Sequence, residues 1–217
     1  YDYIYSTVWI HPTDVLKSTH TLEQDIQILE KYLRNNPENI VWIWETWLDY
    51  YWVSEDPVEL EKQKRLQEEY FIAHIELWKK YNLPIIIHNR NSWDDILRIL
   101  KENNCTNFII HCFSENLDFA NKCFEISPTS MMSFSGIVTF KNASDIAQTA
   151  ANIPLKNILI ETDAPFLTPA PYRGKQENEP AYTQYVLEKL IELRPESAKQ
   201  VEETILENSH KIFNLKK

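Results

Sequence analysis

The stretch Asn157–Pro171 reads N-I-L-I-E-T-D-A-P-F-L-T-P-A-P. Ile158, Leu159 and Ile160 form an apolar run without alternation, which predicts a strand covered on both faces, as in a parallel sheet. Glu161, Thr162 and Asp163 follow at once. Pro165 then ends the strand, because its ring fixes φ and it has no N–H to give to a ladder. Asp163 therefore stands at the C-terminal end of a buried strand, the edge where α/β folds collect ligands and catalytic groups. An Asp in this position also suits a helix N-cap. This stretch alone leaves both readings open.

Outward from it, apolar runs alternate with helical periods. Strands are predicted at Tyr3–Ile10, Ile40–Leu48, Pro84–His88, Asn107–His111, Met132–Val138 and Ile158–Glu161. Helices are predicted at Thr21–Asn35, Pro57–Tyr81, Trp93–Asn103, Leu117–Phe124, Ala143–Asn152, Tyr182–Leu193 and Ala198–Phe213. Regular β-α alternation argues an α/β fold with a parallel sheet, either a (β/α) barrel or a doubly wound sheet. The absence of G-x-G-x-x-G and P-loop motifs weighs against the nucleotide-binding sheet. No linker or low-complexity segment interrupts the pattern, so residues 1–217 are expected to form a single domain.

The composition narrows the function. Of 217 residues, 43% are apolar and 25% charged, which is ordinary for a globular chain. No apolar run approaches the roughly 18 residues of a membrane span, so no membrane partner is expected. The three cysteines form no C-x-x-C pair, which argues for a reducing, cytoplasmic setting and against a thiolate metal site. A net charge of −10 disfavours a protein that grips long nucleic acid through a basic surface. Phosphate chemistry stays open, since bound divalent cations supply positive charge locally. No obligate protein partner is evident. Glycine is scarce: 2 residues, against about 15 at ordinary usage.

Five strands close, or nearly close, on a polar residue: His11, Glu45, His88, His111 and Asp163. All are ligands suited to Zn²⁺, Mn²⁺ or Mg²⁺. A barrel converges such ends on one mouth, where imidazoles and carboxylates would desolvate or repel one another without a cation. The pattern predicts a metal site. His20, His74 and His210 lie in helical or loop context and are expected at the surface. Cys112 would point to the face of its strand opposite His111 and is expected to pack. Tyr50, Tyr51 and Trp52 suit either base stacking or rim packing.

These residues also carry a family resemblance. T-V-W-I-H-P (Thr7–Pro12), E-T-W-L-D-Y-Y-W (Glu45–Trp52) and P-I-I-I-H-N-R (Pro84–Arg90) resemble motifs of the TatD-type metal-dependent deoxyribonucleases. So do H-C-F-S (His111–Ser114), S-F-S-G-I-V-T-F-K-N (Ser133–Asn142), E-T-D-A-P-F-L (Glu161–Leu167), Y-R-G-K (Tyr172–Lys175) and N-E-P (Asn178–Pro180). The motifs span the chain in the family's order.

The resemblance implies a (β/α)8 TIM barrel of the amidohydrolase superfamily, with one to three divalent ions (Mg²⁺, Mn²⁺ or Zn²⁺). It implies metal ligands at Glu45, His88, His111 and Asp163, with Glu45 bridging and Asp163 also holding or deprotonating the attacking water. His11, Arg90 and Arg173 match positions near the phosphate. The implied reaction is phosphodiester hydrolysis of single-stranded DNA ends, 3′–5′ exonuclease-like. RNA, a misacylated tRNA ester and a catalytically inactive fragment are the alternatives, since fold and ligands do not fix a substrate.

Two departures from the family pattern are expected to matter. The family's opening H-x-H strand has no counterpart, so two βα units of the barrel are expected to be missing from the start. Trp9, Trp44 and Trp47 stand where the family has glycine, and Trp42 and Trp78 where glycine or alanine is usual. Their number suggests UGA codons that are read as glycine in the source and rendered as tryptophan here.

Overall fold

The computed structural model describes residues 5–8, 10, 15–16, 18–36, 40–51 and 53–215, with the backbone alone at 41 and 44–47. The chain packs as two compact units, Tyr1–Ile109 and Ile110–Lys217. The first carries β1 (Ser6–Val8), α1 (Leu22–Asn35), β2 (Ile40–Asp49), α2 (Pro57–Tyr81), β3 (Ile85–Arg90) and α3 (Trp93–Glu102). Strand β4 (Phe108–Ile110) follows. The second carries α4 (Leu117–Ile126), β5 (Met131–Phe134), α5 (Ser144–Asn152), β6 (Ile158–Ile160), α6 (Thr183–Leu193) and α7 (Ala198–Ile212). Among the described residues no helix is long and apolar enough to cross a membrane.

In the first unit β1 pairs parallel with β2, and β2 parallel with β3. Helix α1 starts in a capping box: Thr21 Oγ1 accepts from Gln24 N–H and Gln24 Oε1 accepts from Thr21 N–H. Helix α2 starts with Asp56 accepting from the amides of Val58 and Glu59, with Pro57 at the first turn, where its missing N–H costs nothing. Leu29 and Leu33 of α1 and Leu77 of α2 close over Val8, Ile40 and Ile43, and Trp78 and Tyr81 pack against that core. The end of β2 is finished by a side chain. Buried Gln67 accepts from Asp49 N–H (2.9 Å) and donates to Asp49 C=O (3.1 Å), standing in for a strand neighbour.

In the second unit β5 and β6 pair parallel, with Met132 opposite Ile158 and Phe134 opposite Ile160. Polar side chains saturate the backbone around this pair. Asn157 Nδ2 donates to the carbonyls of Pro128 and Ser130, and Asn208 Nδ2, from α7, to those of Leu155 and Ile158. Phe113 packs on Phe119 and Phe134.

Several expectations are corrected. His74 is 1% exposed, not at the surface. Its Nδ1 donates to Tyr70 C=O (2.7 Å), and its Nε2 is buried without a hydrogen-bond partner in the structure. Helix α2 is long enough that one side of this turn faces inward, which its many charges obscure. His20 is exposed and pairs with Asp25, while His210 is half-buried. Cys112 follows no strand alternation, because β4 ends at Ile110 and Cys112 has φ 46°; its Sγ lies 3.2 Å from Ser135 Oγ. The fifth strand stops at Phe134, and Gly136–Thr139 is a 3₁₀ turn.

All three cysteines are free. Burial pushes the Cys105 thiol up to about 12. Of the tryptophans in family glycine positions, Trp9 and the side chains of Trp44 and Trp47 lie outside the described residues.

Glycine scarcity is met in part by asparagine. Among the described residues eight non-glycine residues have positive φ, and Asn82, Asn91, Asn104, Asn107 and Asn214 are five of them. Asn tolerates this region because its short amide bonds locally to the backbone. The other three are Cys112, Asp163 and Leu167. Asp163 belongs to the site described next, and Cys112 adjoins it.

Candidate metal centre

Strand β4 ends at Ile110 and delivers His111; β6 ends at Ile160 and delivers Glu161. Glu161 still donates its N–H to Phe134 C=O (3.0 Å), so the β5–β6 ladder holds the backbone from which the carboxylate projects. Its Oε1 lies 2.7 Å from His111 Nδ1 and accepts from Cys112 N–H at 3.0 Å. A proton on Nδ1 then leaves the imidazole lone pair on Nε2, the nitrogen through which a carboxylate-oriented histidine binds a metal. His111 is buried, and Glu161 and Asp163 are half-buried. Each of the three offers one ligand atom, and these atoms lie within 4.8 Å of one another. The His111 imidazole and the Asp163 carboxylate suit a divalent cation, which takes N and O donors, with Glu161 as the acceptor that orients the imidazole.

Asp163 reaches this place through its backbone. It has φ 57°, a conformation Asp adopts more readily than most residues. Its C=O accepts from Phe166 N–H (2.8 Å), closing a turn, and Thr162 Oγ1 accepts from Ala164 N–H. Residues 164–179 hold turns and bends and no helix, so Asp163 is not an N-cap. Buried Asn178 pins the turn by donating from Nδ2 to the carbonyls of Thr162 and Phe166, both at 2.6 Å, and from its N–H to Pro165 C=O. That gives the N-E-P segment a structural role.

The far side of the loop rests on Gly136. A Cβ there would stand 2.0 Å from Leu167 O and 3.1 Å from Pro169 N, so only glycine admits the loop. This close approach also explains why β5 gives way to a tight turn.

The other expected site residues fall as follows. His11 lies outside the described residues. Glu45 is inside β2 rather than at its end, described by its backbone alone. His88 is half-buried within β3, opposite Trp47 in register. Arg90 is exposed, its guanidinium 3.9 Å from the Tyr51 ring centre and 4.0 Å from Asp49 Oδ2. Arg173 is exposed too, stacked 3.5 Å over Phe140, with Nη1 donating to Asn142 Oδ1. His111 and Asp163 are thus brought together. The residue joining them, Glu161, was missed as a site residue, although its spacing to Asp163 at a strand end was a usable signal.

The strands, their parallel pairing and the His–Glu–Asp group define an α/β fold with a candidate site for a divalent cation. Comparison with known proteins narrows the class. A family model described as "TatD related DNase" matches residues 1–214, and the chain belongs to the TatD family. It is 38% identical to the uncharacterized metal-dependent hydrolase YabD of Bacillus subtilis over 99% of this chain and 79% of that protein. It is 37% identical to the uncharacterized metal-dependent hydrolase YcfH of Escherichia coli over 82% of this chain and 64% of that one. The crystal structure of YJJV, a TatD homolog from Escherichia coli, matches all of this chain and 79% of its own, at a TM-score of 0.84 and 28% identity. The α/β fold with parallel strands agrees with the TIM-barrel type expected from sequence.

Proposed function

We propose that this protein hydrolyses phosphodiester bonds of DNA at single-stranded ends, using one or more divalent cations. The observation that carries the reading is the convergence of His111, Glu161 and Asp163 ligand atoms within 4.8 Å, in a chain of the TatD family. His111 and Asp163 would hold the cation, with Glu45 and His88 as the further ligands the resemblance implies. A cation in this set supplies Lewis acidity, lowering the pKa of water toward neutrality and offsetting phosphate charge.

The protein's own groups do the rest. Asp163 orients the attacking water and takes its proton on a carboxylate oxygen. Glu161 keeps the His111 ring in one tautomer and orientation through the 2.7 Å contact. Asn178 and Gly136 hold the turn from which Asp163 projects, so the base arrives preorganised. His11, Arg90 and Arg173 are suited to phosphate oxygens, the arginines being always charged and able to bind two oxygens at once.

The test is hydrolysis by purified full-length protein of single-stranded DNA, RNA and acyl-tRNA, each with Mg²⁺, Mn²⁺ or Zn²⁺ and with EDTA. Metal-dependent release of nucleotides from DNA is expected. Release of amino acid from acyl-tRNA, or cleavage of RNA alone, would replace the DNA substrate and keep the site.

A further inference from the structure

The geometry points to Phe166 as the residue that stacks on a nucleobase beside the bond being cut, an inference that rests on the nucleic-acid reading above. Phe166 is 70% exposed, although its ring is wholly apolar. A single exposed apolar side chain is common and by itself means little. What sets Phe166 apart is how firmly its backbone is held, and where.

Its N–H donates to the carbonyl of Asp163 (2.8 Å), closing a four-residue turn, which keeps the ends of the turn within about 7 Å at Cα. Its own carbonyl accepts from buried Asn178 Nδ2 (2.6 Å). The residue before it, Pro165, is bonded to Asn178 N–H, and the residue after it, Leu167, meets Gly136 through its backbone oxygen. The carbonyl before Phe166 and its own N–H and carbonyl are therefore all hydrogen-bonded, while its ring stands in solvent. A ring carried on a held backbone gives up only its own side-chain rotations on binding, which favours a preorganised contact.

The occupant follows from size and charge. Ala164 and Pro165 beside the ring are also exposed, but they make a patch of one aromatic face rather than a broad apolar surface. One aromatic face suits one unstacked base. The chain's net charge of −10 repels a polyanion at long range, so affinity has to come from short-range contacts. Stacking is such a contact, and it accepts any base because every base has a π-face.

The experiment measures binding of the full-length protein to a fluorescent oligothymidylate and to the same backbone built from abasic residues, by anisotropy, alongside hydrolysis of both. The variants are Phe166→Leu, which keeps the side chain apolar, and Phe166→Trp, which keeps an aromatic face. Loss of one base stack predicts that Phe166→Leu binds oligothymidylate roughly 5- to 100-fold more weakly, with affinity for the abasic strand unchanged and Phe166→Trp at wild-type strength. Equal weakening on both strands, or none on either, overturns the stacking role. If wild-type protein cuts DNA while Phe166→Leu behaves as wild type, only this inference fails. If wild-type protein neither binds nor cuts either strand, the nucleic-acid reading fails and takes this inference with it.

Discussion

At the scale of single residues, the proposed roles of Asp163 and Glu161 separate by experiment. Asp163→Asn keeps the shape and removes the base, and is expected to lower kcat by about 10²- to 10⁴-fold with the fold intact by circular dichroism. Glu161→Gln keeps the reach to His111 and Cys112 but weakens the charge that orients the imidazole. It is expected to cost about 10- to 100-fold, read as a higher metal concentration for half-maximal activity. Equal losses in kcat at saturating metal would instead give Glu161 a direct part in the reaction. Asp163 alone also suited a helix N-cap, and only the other polar strand ends and the family motifs marked it as a candidate ligand. Glu161 was less legible, because neighbouring acids in one segment look alike until a histidine from another strand selects one. That selection is the 2.7 Å contact of Glu161 Oε1 with His111.

Elements set the position of those residues. The loop after β6 is anchored at Asn178 and seated on Gly136, where an added Cβ would meet a backbone oxygen at 2.0 Å. Backbone cannot swing aside as a flexible side chain can. Gly136→Ala is therefore expected to destabilise by at least the 1–3 kcal/mol typical of overpacking, about that much or somewhat more. Because the displaced loop carries Asp163, it should also lower activity by about 10²-fold, the scale of a misplacement near 1 Å. Thermal denaturation and steady-state kinetics on the same preparation check both. A variant less stable but fully active would separate the loop from the site. Helix extents were readable from periodicity: α2 spans Pro57–Tyr81 as predicted. The end of β5 was not readable, because it depends on a loop some thirty residues further on pressing against Gly136.

For the whole molecule, stability carries two signatures. Burial holds the His74 imidazole below its ordinary value of 6.5, although the hydrogen bond to Tyr70 opposes the shift. The folded pKa is thus depressed, so the contribution to stability is complete above about pH 6.5 and is lost as the pH falls, because the unfolded chain takes up the proton first. Urea midpoints for the wild type should drop on acidification below about pH 6.5, by up to roughly 1.4 kcal/mol per pH unit from this group, and His74→Leu should show a shallower decline. An identical pH dependence in the variant would mean that folding leaves the His74 pKa unchanged.

The second signature is metal binding. Excess Mn²⁺ or Zn²⁺ should raise Tm, by an amount equivalent to about 2.7 kcal/mol at a hundred times Kd, and EDTA should reverse it. The double variant His111→Gln, Asp163→Asn should lose that response.

The sequence by itself determined the alternation of strands and helices, the α/β class, the family and two of the three residues that meet at the candidate centre. The first two follow from local periodicity, the family from the resemblance of motifs along the chain, and the residues from their types at strand ends. Tertiary structure alone decided that Glu161 joins His111 and Asp163, that Asp163 sits in a turn rather than on a helix, and that His74 is inside. Each of these depends on which distant backbone lies within a few ångströms of a side chain, and no window of neighbouring residues encodes that distance.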